Sequence, residues 1–267
     1  MSIPFSDAVI WITGASSGIG EAVSLELARN KQVRLVLSAR RPDELNRVAG
    51  LTGLAESNVL VLPMDMSVTD SFPNCVKTVY ERFGRIDYVF QNAGITQRST
   101  VADTDFAVYK RIMDVNFFGI VALTKAILPG MLTQGSGHFV VMSSVAGKLG
   151  TKQRSGYCAS KHALHGFFDS LRAETHAEGV RVTLVCPVYI RTPISTNALD
   201  ASGHKHGKMD ENQAKGMDVS EFAERLLRAV RQEKEEVYIG GNETYGIYLK
   251  RFLPGLLSRI VRNRQGA

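Results

Sequence analysis

Apolar residues along this chain fall into short β-branched runs that alternate with longer segments of helical periodicity. Short apolar runs bounded by turn residues predict buried strands, and apolar residues recurring every three to four positions predict helices packed on one face. Seven strands are predicted, at Ala8–Thr13, Val33–Ser38, Asn58–Pro63, Ile86–Gln91, His138–Ser143, Val180–Cys186 and Glu236–Ile239. The predicted helices lie near residues 19–29, 42–54, 71–83, 104–129, 155–178 and 219–233.

This alternation has the spacing of right-handed parallel crossovers, so it predicts an α/β fold. We expect a single Rossmann-type doubly wound parallel sheet of about seven strands with helices on both faces. The 267 residues suffice for one large domain, and no Pro- or Gly-rich linker divides them. Ligands of such sheets bind beyond the carboxyl ends of the strands. Because Thr13, Asn92, Ser144 and Pro187 follow strand ends directly, we expect the chemistry there.

The charge of the chain is concentrated at its carboxyl end. The net charge is +6, and residues 245–267 hold five basic residues and no acid, which leaves +1 for the rest. Nucleic-acid-binding domains usually carry a basic face across the fold, so no nucleic-acid partner is predicted. With 44% hydrophobic and 22% charged residues, the composition is that of an ordinary globular protein.

The cysteines and histidines do not form a metal-ligand pattern. Cys75, Cys158 and Cys186 are widely scattered, which favours reduced thiols in a reducing compartment. His204 and His206 alternate without further clustered ligands, so we predict no metal site.

The amino-terminal segment does not read as a targeting signal. It lacks a basic region, and the apolar run after Asp7 is only about six residues long. No stretch reaches the roughly 18–20 uninterrupted apolar residues of a membrane-spanning helix. We therefore expect a cytoplasmic protein.

A glycine-rich turn joins the first strand to the first helix. It runs from Thr13 to Gly20 with glycines at 14, 18 and 20, and a helical segment, Glu21–Asn30, follows. Glycines let the backbone approach a pyrophosphate closely, and the helix offers unpaired N–H groups and a positive dipole end. The strand, loop and helix together predict a dinucleotide site.

Tyr157 and Lys161 are four residues apart on a predicted helix, and Ser144 lies thirteen residues before the tyrosine. Residues at this spacing stack on one helix face, so the ammonium can lie beside the phenol. A free tyrosine has a pKa of about 10, and a neighbouring positive charge favours its phenolate. With a serine hydroxyl to hold a substrate oxygen, the set indicates carbonyl or alcohol chemistry. A helical tyrosine and lysine at this spacing usually carry no chemistry, so the interpretation depends on the rest of the chain.

The chain resembles the short-chain dehydrogenase/reductase family over nearly its whole length. Thr13–Gly20 matches the family's T-G-x-x-x-G-x-G loop, and Asn92-Ala93-Gly94 matches its N-A-G motif after the fourth strand. Within the family, the stretches Ser143–Lys148 and Tyr157–Glu174 are similar to the microsomal-type steroid and retinoid reductases and to the member-7 group. The catalytic tetrad of the family is matched in order and spacing by Asn116, Ser144, Tyr157 and Lys161.

The resemblance implies a role for each member of the tetrad. Tyr157 is the general acid or base, and Ser144 orients the substrate oxygen. Lys161 binds the nicotinamide ribose and lowers the pKa of Tyr157. Asn116 holds a water in a proton relay to Lys161; the alternative is an amide that kinks or caps a helix in the core.

The end of the second strand bears on the choice of cofactor. It reads Ser38-Ala39-Arg40-Arg41, with no acid for a ribose 2′-hydroxyl, so Arg40 can clamp a 2′-phosphate with Ser17 as a helper. We therefore predict NADP(H); the alternative is that both arginines are solvated surface charges. The resemblance puts the Asp65 carboxylate on the adenine, against the alternative of a turn-forming residue. The predicted cofactor-binding residues are Gly14, Ser16, Ser17, Gly18, Ile19, Gly20, Arg40, Arg41, Asp65, Met66, Asn92, Ala93, Gly94, Tyr157, Lys161, Pro187, Ile190 and Thr192.

One position departs from the family. The family usually has glycine after Pro187, and this chain has Val188, although Thr192 matches the nicotinamide-binding threonine. A β-branched residue resists conformations that glycine permits, so we expect a reshaped or poorly ordered turn there.

By resemblance, residues 1–244 form the catalytic domain, in which residues 193–218 are the substrate loop, and residues 245–267 form a basic extension. Pro254-Gly255 interrupts this extension, which predicts two short helical pieces. One hypothesis is peripheral contact with an anionic membrane, and the other is packing over the substrate pocket or a subunit interface. Relatives associate through the helices at 104–129 and 155–178, which implies a homodimer or homotetramer.

The leading functional hypothesis is an NADP(H)-dependent oxidoreductase that interconverts a carbonyl and an alcohol on a small, hydrophobic substrate. A 3-oxoacyl-carrier-protein reductase is a second hypothesis, because the basic tail offers a landing surface for an acidic partner. A nucleotide-binding regulatory protein with weak turnover is a third, which Val188 favours and the complete tetrad opposes.

Overall fold

The computed structural model describes residues 5–263. Seven parallel strands form one sheet in the order β3-β2-β1-β4-β5-β6-β7, which confirms the predicted doubly wound fold. The third strand, Val59–Val61, is shorter than predicted, although the N–H groups of Leu62 and Met64 still donate to the carbonyls of Leu37 and Ala39. The strands are β1 (Val9–Thr13), β2 (Arg34–Ser38), β3 (Val59–Val61), β4 (Tyr88–Gln91), β5 (Gly137–Met142), β6 (Val180–Pro187) and β7 (Glu236–Ile239).

Helices cover both faces of this sheet. The carboxyl-terminal ends of four of these helices lie two or three residues before the positions predicted from the sequence. They are α1 (Gly18–Leu27), α2 (Pro42–Thr52), α3 (Phe72–Phe83), α4 (Phe106–Met113), α5 (Gly119–Gln134), α6 (Ser155–Thr175), α7 (Glu211–Ala214), α8 (Val219–Arg231), α9 (Tyr245–Phe252) and α10 (Pro254–Asn263).

The segment predicted as one helix at 104–129 differs from that expectation in two ways. A π-helical turn, Asp114–Phe118, separates α4 from α5. The helix also continues through Pro129 to Gln134. The proline removes a bond to the carbonyl of Lys125, an exposed residue whose carbonyl can turn to water, so the helix tolerates it.

The two faces of the sheet bury separate apolar cores. All five residues of β1 are buried, and alternate residues point to opposite faces. Ile10 and Ile12 pack into the core beneath α1 and α8. Val9 and Trp11 pack into the other core, with α3, α5 and α6. This double burial explains why the strand sequences are nearly continuous apolar runs.

One helical stretch, Phe106–Gln134, is long and apolar enough to cross a membrane by length and composition. The sequence expectation missed it, because scattered polar residues interrupt its apolar run. Ile120, Leu123, Ile127 and Met131 lie in the core on the α5 side of the sheet, as expected of a core helix.

The carboxyl-terminal extension forms two helical pieces, as predicted, with the break at Leu253. Pro254 occupies the first position of α10, where its missing N–H leaves no helical bond unmade. Six large apolar side chains of this extension are exposed, namely Tyr245, Tyr248, Phe252, Leu253, Leu256 and Ile260.

Candidate active site

The turn between β1 and α1 has the geometry that a phosphate loop requires. Gly14 and Gly18 have positive φ values of 66° and 59°, which favour glycine. A Cβ at Gly20 would lie 2.3 Å from the carbonyl oxygen of Gly14, so the loop could not close around a larger residue. Ser17 occupies the N-cap of α1 without a side-chain cap bond. The N-terminal N–H groups of the helix are thereby left for a ligand, and the loop fits a pyrophosphate.

Asn92 ties the N-A-G segment to this loop. Its side-chain nitrogen donates to the carbonyl oxygens of Thr13 at 3.0 Å and Gly14 at 3.3 Å. The Thr13 hydroxyl in turn accepts from the backbone N–H groups of Asn92 and Ala93. The ends of β1 and β4 are thus bound to each other where the cleft begins.

A cleft of about 610 Å³ runs along the carboxyl ends of the strands. It brings together the predicted catalytic and cofactor-binding residues, with two exceptions. Gly20 lies behind the loop, and Asn116 is fully buried. The location expected from the strand ends is the one observed.

One end of the cleft is lined by Arg40, Arg41 and Asp65. Burial alone would raise the pKa of the Asp65 carboxyl, but hydrogen bonds from Ser67 and the charges of Arg40 and Arg111 hold it below its usual value. Asp65 is therefore an anion that can accept a hydrogen bond. Arg111, on α4, also lines the cleft, and sequence reasoning missed it because nothing in α4 signals a ligand.

At the other end of the cleft, Tyr157 is buried within a small apolar cluster. Burial raises the pKa of its phenol, while a hydrogen bond from Ser144 and the charges of Arg154 and Arg98 act against this rise. The lowering by Lys161 that the resemblance implies does not offset burial here. The phenol therefore keeps its proton near neutrality.

Lys161 lies beside Tyr157, as the helical spacing predicts. Its ammonium is 5.8 Å from the centre of the Tyr157 ring and donates to the Met142 carbonyl at 2.6 Å. Burial lowers the pKa of this lysine to about 8. It is a cation that loses its proton within reach of physiological pH.

Asn116 occupies the π-helical turn and is held by its neighbours. Its side-chain oxygen accepts from the Ile95 N–H, and its nitrogen donates to the Ile95 carbonyl, both at 2.8 Å. The same nitrogen donates to the Ser160 hydroxyl at 3.0 Å. These bonds are those of an amide at a helix kink in the core, and the relay role stays a prediction.

Val188 does not adopt a backbone conformation that favours glycine. Among the described residues, the non-glycine residues with positive φ are Asp7, Gln153 and Glu233. The backbone of Val188 is bonded to Ile239 at 3.1 Å, which continues the pairing of β6 with β7. Val188 therefore keeps a backbone conformation that β-branched residues adopt, and its side chain lies beside Gly240, the residue directly after β7.

A second cavity of about 300 Å³ lies between the Ser144 turn and the carboxyl-terminal helices. Its wall is formed on one side by Leu149 and on the other by residues of α9 and α10, including Leu249, Leu257 and Ile260. Ser144, Arg154 and Val188 line both cavities. The extension thus packs beside the catalytic end of the cleft.

An ion cluster that sequence reasoning missed lies at this junction. Asp210, in the predicted substrate loop, is bonded to both Arg98 and Arg154. The three residues come from distant parts of the chain, so no local motif announces them.

A doubly wound sheet with a phosphate loop after β1, and serine, tyrosine and lysine at one cleft, is the architecture of a dinucleotide-dependent oxidoreductase. Residues 8–202 match the family model described as short chain dehydrogenase. The chain belongs to the short-chain dehydrogenase/reductase family, whose members use a nicotinamide cofactor and act on small molecules.

Named relatives agree with this assignment. The chain is 41% identical over 261 residues to dehydrogenase/reductase SDR family protein 7-like of Drosophila melanogaster, covering 96% of this chain and 80% of the relative. It is 41% identical over 266 residues to dehydrogenase/reductase SDR family member 7B of Xenopus tropicalis, covering 97% and 85%. Human family member 7 is 38% identical over 255 residues, covering 93% and 75%.

Solved structures share the fold. Levodione reductase superposes with a TM-score of 0.80 at 27% identity, covering 90% of this chain and 99% of that one. A short-chain dehydrogenase/reductase from Burkholderia phymatum, in complex with NAD, has a TM-score of 0.83 at 22% identity, with 99% and 98% covered.

Proposed function

We propose that this protein is an NADP(H)-dependent oxidoreductase that interconverts a carbonyl and an alcohol on a lipophilic substrate. The observation that carries the proposal is the position of Ser144. Its hydroxyl is close enough to the Tyr157 phenol at the end of the cleft to act on the pKa of that phenol, and the residue also lines the apolar cavity beside α9 and α10. A substrate whose body fills that cavity can bring its oxygen to Ser144 and Tyr157.

In this mechanism the nicotinamide, when bound, supplies or accepts the hydride. Ser144 donates a hydrogen bond to the carbonyl oxygen and holds it against the phenol. Tyr157 transfers its phenolic proton to that oxygen during reduction and takes it back during oxidation. The raised pKa of the phenol keeps this proton available, and the charges of Arg154 and Arg98 stabilise the phenolate that forms. Lys161 contributes a buried cation beside the same ring.

The preference for NADP(H) is supported by charge at the end of β2. Arg40 and Arg41 line the cleft there, and the position that accepts a ribose 2′-hydroxyl in NAD-binding folds holds no acid. A 2′-phosphate between these guanidinium groups would gain charge-assisted hydrogen bonds.

The surface supports two further proposals. Phe106, at the start of α4, is 76% exposed, and Phe118, in the π turn, is 53% exposed. Large exposed apolar side chains at this place favour association through α4, α5 and α6, and therefore a homodimer or homotetramer. The exposed apolar residues of α9 and α10, interspersed with basic ones, favour a cytoplasmic protein in peripheral contact with an anionic membrane.

We treat residues 1–244, including the loop at 193–218, as the catalytic domain and residues 245–267 as its extension.

The proposal is tested by incubating the purified chain with NADPH or NADH and a series of ketones and aldehydes of increasing apolar length. We expect oxidation of NADPH that strengthens with apolar length, and the reverse reaction with the matching alcohols. The series also includes a 3-oxoacyl carrier protein and its free thioester analogue. Faster turnover of the carrier-protein form than of the free thioester would favour the second hypothesis, a 3-oxoacyl-carrier-protein reductase. No turnover with any substrate and either cofactor would contradict an enzymatic function.

A further inference from the structure

We infer that Arg154 is an anion-binding residue and that the substrate carries an oxyanion group, a carboxylate or phosphate, close to its reacting carbon. This inference rests on the proposed function and narrows its substrate class to anionic amphiphiles. It comes from the ion cluster formed by Arg98, Arg154 and Asp210.

Arg98 is fully engaged within the protein. Its Nε donates to Asp210 at 3.0 Å and its Nη2 forms a second, shorter bond to the same carboxylate. Its Nη1 donates to the Gln97 carbonyl at 2.7 Å and to the Thr96 hydroxyl at 3.3 Å. The side chain is only 3% exposed. Arg98 and Asp210 therefore form a complete ion pair that anchors the loop at 193–218.

Arg154 makes fewer hydrogen bonds to the described residues than Arg98 does. Its Nη2 donates to Asp210 at 3.2 Å, and its guanidinium lies 5.8 Å from the centre of the Tyr189 ring. Within residues 5–263, its Nε and Nη1 have no hydrogen-bond acceptor, although the side chain is only 12% exposed. Two cations thus share one carboxylate, which leaves one positive charge and unused donors in a largely buried place. Neither nitrogen is among the fully buried unpaired atoms of the described residues, so both stay accessible from the cavities that Arg154 lines, where a second anion can accept their hydrogen bonds.

The position of Arg154 says where that anion would lie. The residue lines both the cleft and the apolar cavity, and it is the N-cap of α6, three residues before Tyr157. A dinucleotide's phosphates are matched by the glycine loop and by Arg40 and Arg41, and these do not border the apolar cavity. The unused donors of Arg154 therefore suit the substrate, whose apolar body would lie beside α9 and α10.

The competing explanation is that Arg154 only helps Arg98 to hold the loop through Asp210. The two explanations differ in what a change of ligand charge does. If Arg154 only holds the loop, replacing it should change the affinity for charged and uncharged ligands alike. If it binds an anion, replacing it should lower the affinity for the charged ligand selectively.

The test measures binding of decanoate, decyl phosphate and decanol to the full chain by isothermal titration calorimetry. We expect wild-type protein to bind at least one anion tenfold or more tightly than decanol, with the better anion identifying the group. Arg154→Gln should remove about tenfold or more of the anion affinity and change decanol affinity less than twofold. Arg225→Gln, the same change at an exposed arginine of α8, should alter neither.

Equal binding of decanol and both anions by the wild type would overturn the inference, as would an unchanged anion preference in Arg154→Gln. If Arg154→Gln does not fold, Arg154→Lys keeps the charge but loses the guanidinium fork; decanoate affinity should fall while decanol affinity holds. An anion preference without turnover of any carbonyl would reject the oxidoreductase proposal alone. Turnover of neutral ketones without an anion preference would reject this inference alone.

Discussion

Val188 packs against the bare Cα of Gly240. A Cβ at Gly240 would lie 2.4 Å from Cγ2 and 2.6 Å from Cβ of Val188. The valine directly after β6 and the glycine directly after β7 are thus complementary in shape. The departure from the family pattern at Val188 is accommodated across the sheet, and it does not by itself argue against turnover.

The pair can be tested for stability by Gly240→Ala. The added methyl group overlaps Val188, so we expect a loss of about 1–3 kcal/mol of unfolding free energy, measured by urea denaturation. In a Val188→Gly background the same change should cost much less, because the overlap is gone. Gly150→Ala, where no atom lies within 4 Å of the new Cβ, serves as the control. Equal costs of Gly240→Ala in both backgrounds would contradict the relationship.

Tyr157→Phe removes the proposed proton donor and leaves the ring. We expect turnover to fall by two or more orders of magnitude, because general acid–base catalysis typically contributes about 10²–10⁴-fold. NADPH affinity, measured by fluorescence titration, should change little. Tyr80→Phe is the matched control, since Tyr80 packs against Gly130 on α5, away from the cleft. Retained activity in Tyr157→Phe would mean that another group donates the proton.

The sequence predicted those features whose causes are local. The strands follow from apolar runs, and the phosphate loop follows from glycines at fixed spacing in one turn. The Arg98–Asp210–Arg154 cluster was missed because its bonds join residues 112 and 56 positions apart. The π turn at Asn116 was missed for a related reason: the amide's partner is Ile95, on a loop outside the helix. Tertiary contacts of this kind leave no periodic trace in the sequence.

Arg40→Ala tests the cofactor preference. Loss of the guanidinium should raise the KM for NADPH about tenfold or more, because a charge-assisted bond to the 2′-phosphate disappears. The KM for NADH should change less than threefold, since NADH has no phosphate at that position. Steady-state kinetics with both cofactors on one substrate provide the comparison, and NADH is the internal control. Equal effects on the two cofactors would refute the assignment.

Lys161→Met tests the electrostatics of the site through stability. The buried ammonium has a pKa of about 8, against an ordinary value of 10.5, so the unfolded chain binds more protons between these two values. The favourable contribution of Lys161 to unfolding free energy is therefore fully present above pH 10.5 and is lost as the pH falls through 8. Methionine does not titrate. We expect the stability of Lys161→Met relative to wild type to fall by about 3 kcal/mol between pH 7 and pH 10.5.

The measurement is urea denaturation of both proteins across this pH range, so that titrating groups that do not interact with Lys161 cancel in the difference. Lys77→Met, at an exposed position of α3, should run parallel to wild type. A difference between Lys161→Met and wild type that stays constant with pH would mean that Lys161 titrates normally. Its ammonium would then be better solvated than its bond to the Met142 carbonyl and its place beside Tyr157 imply.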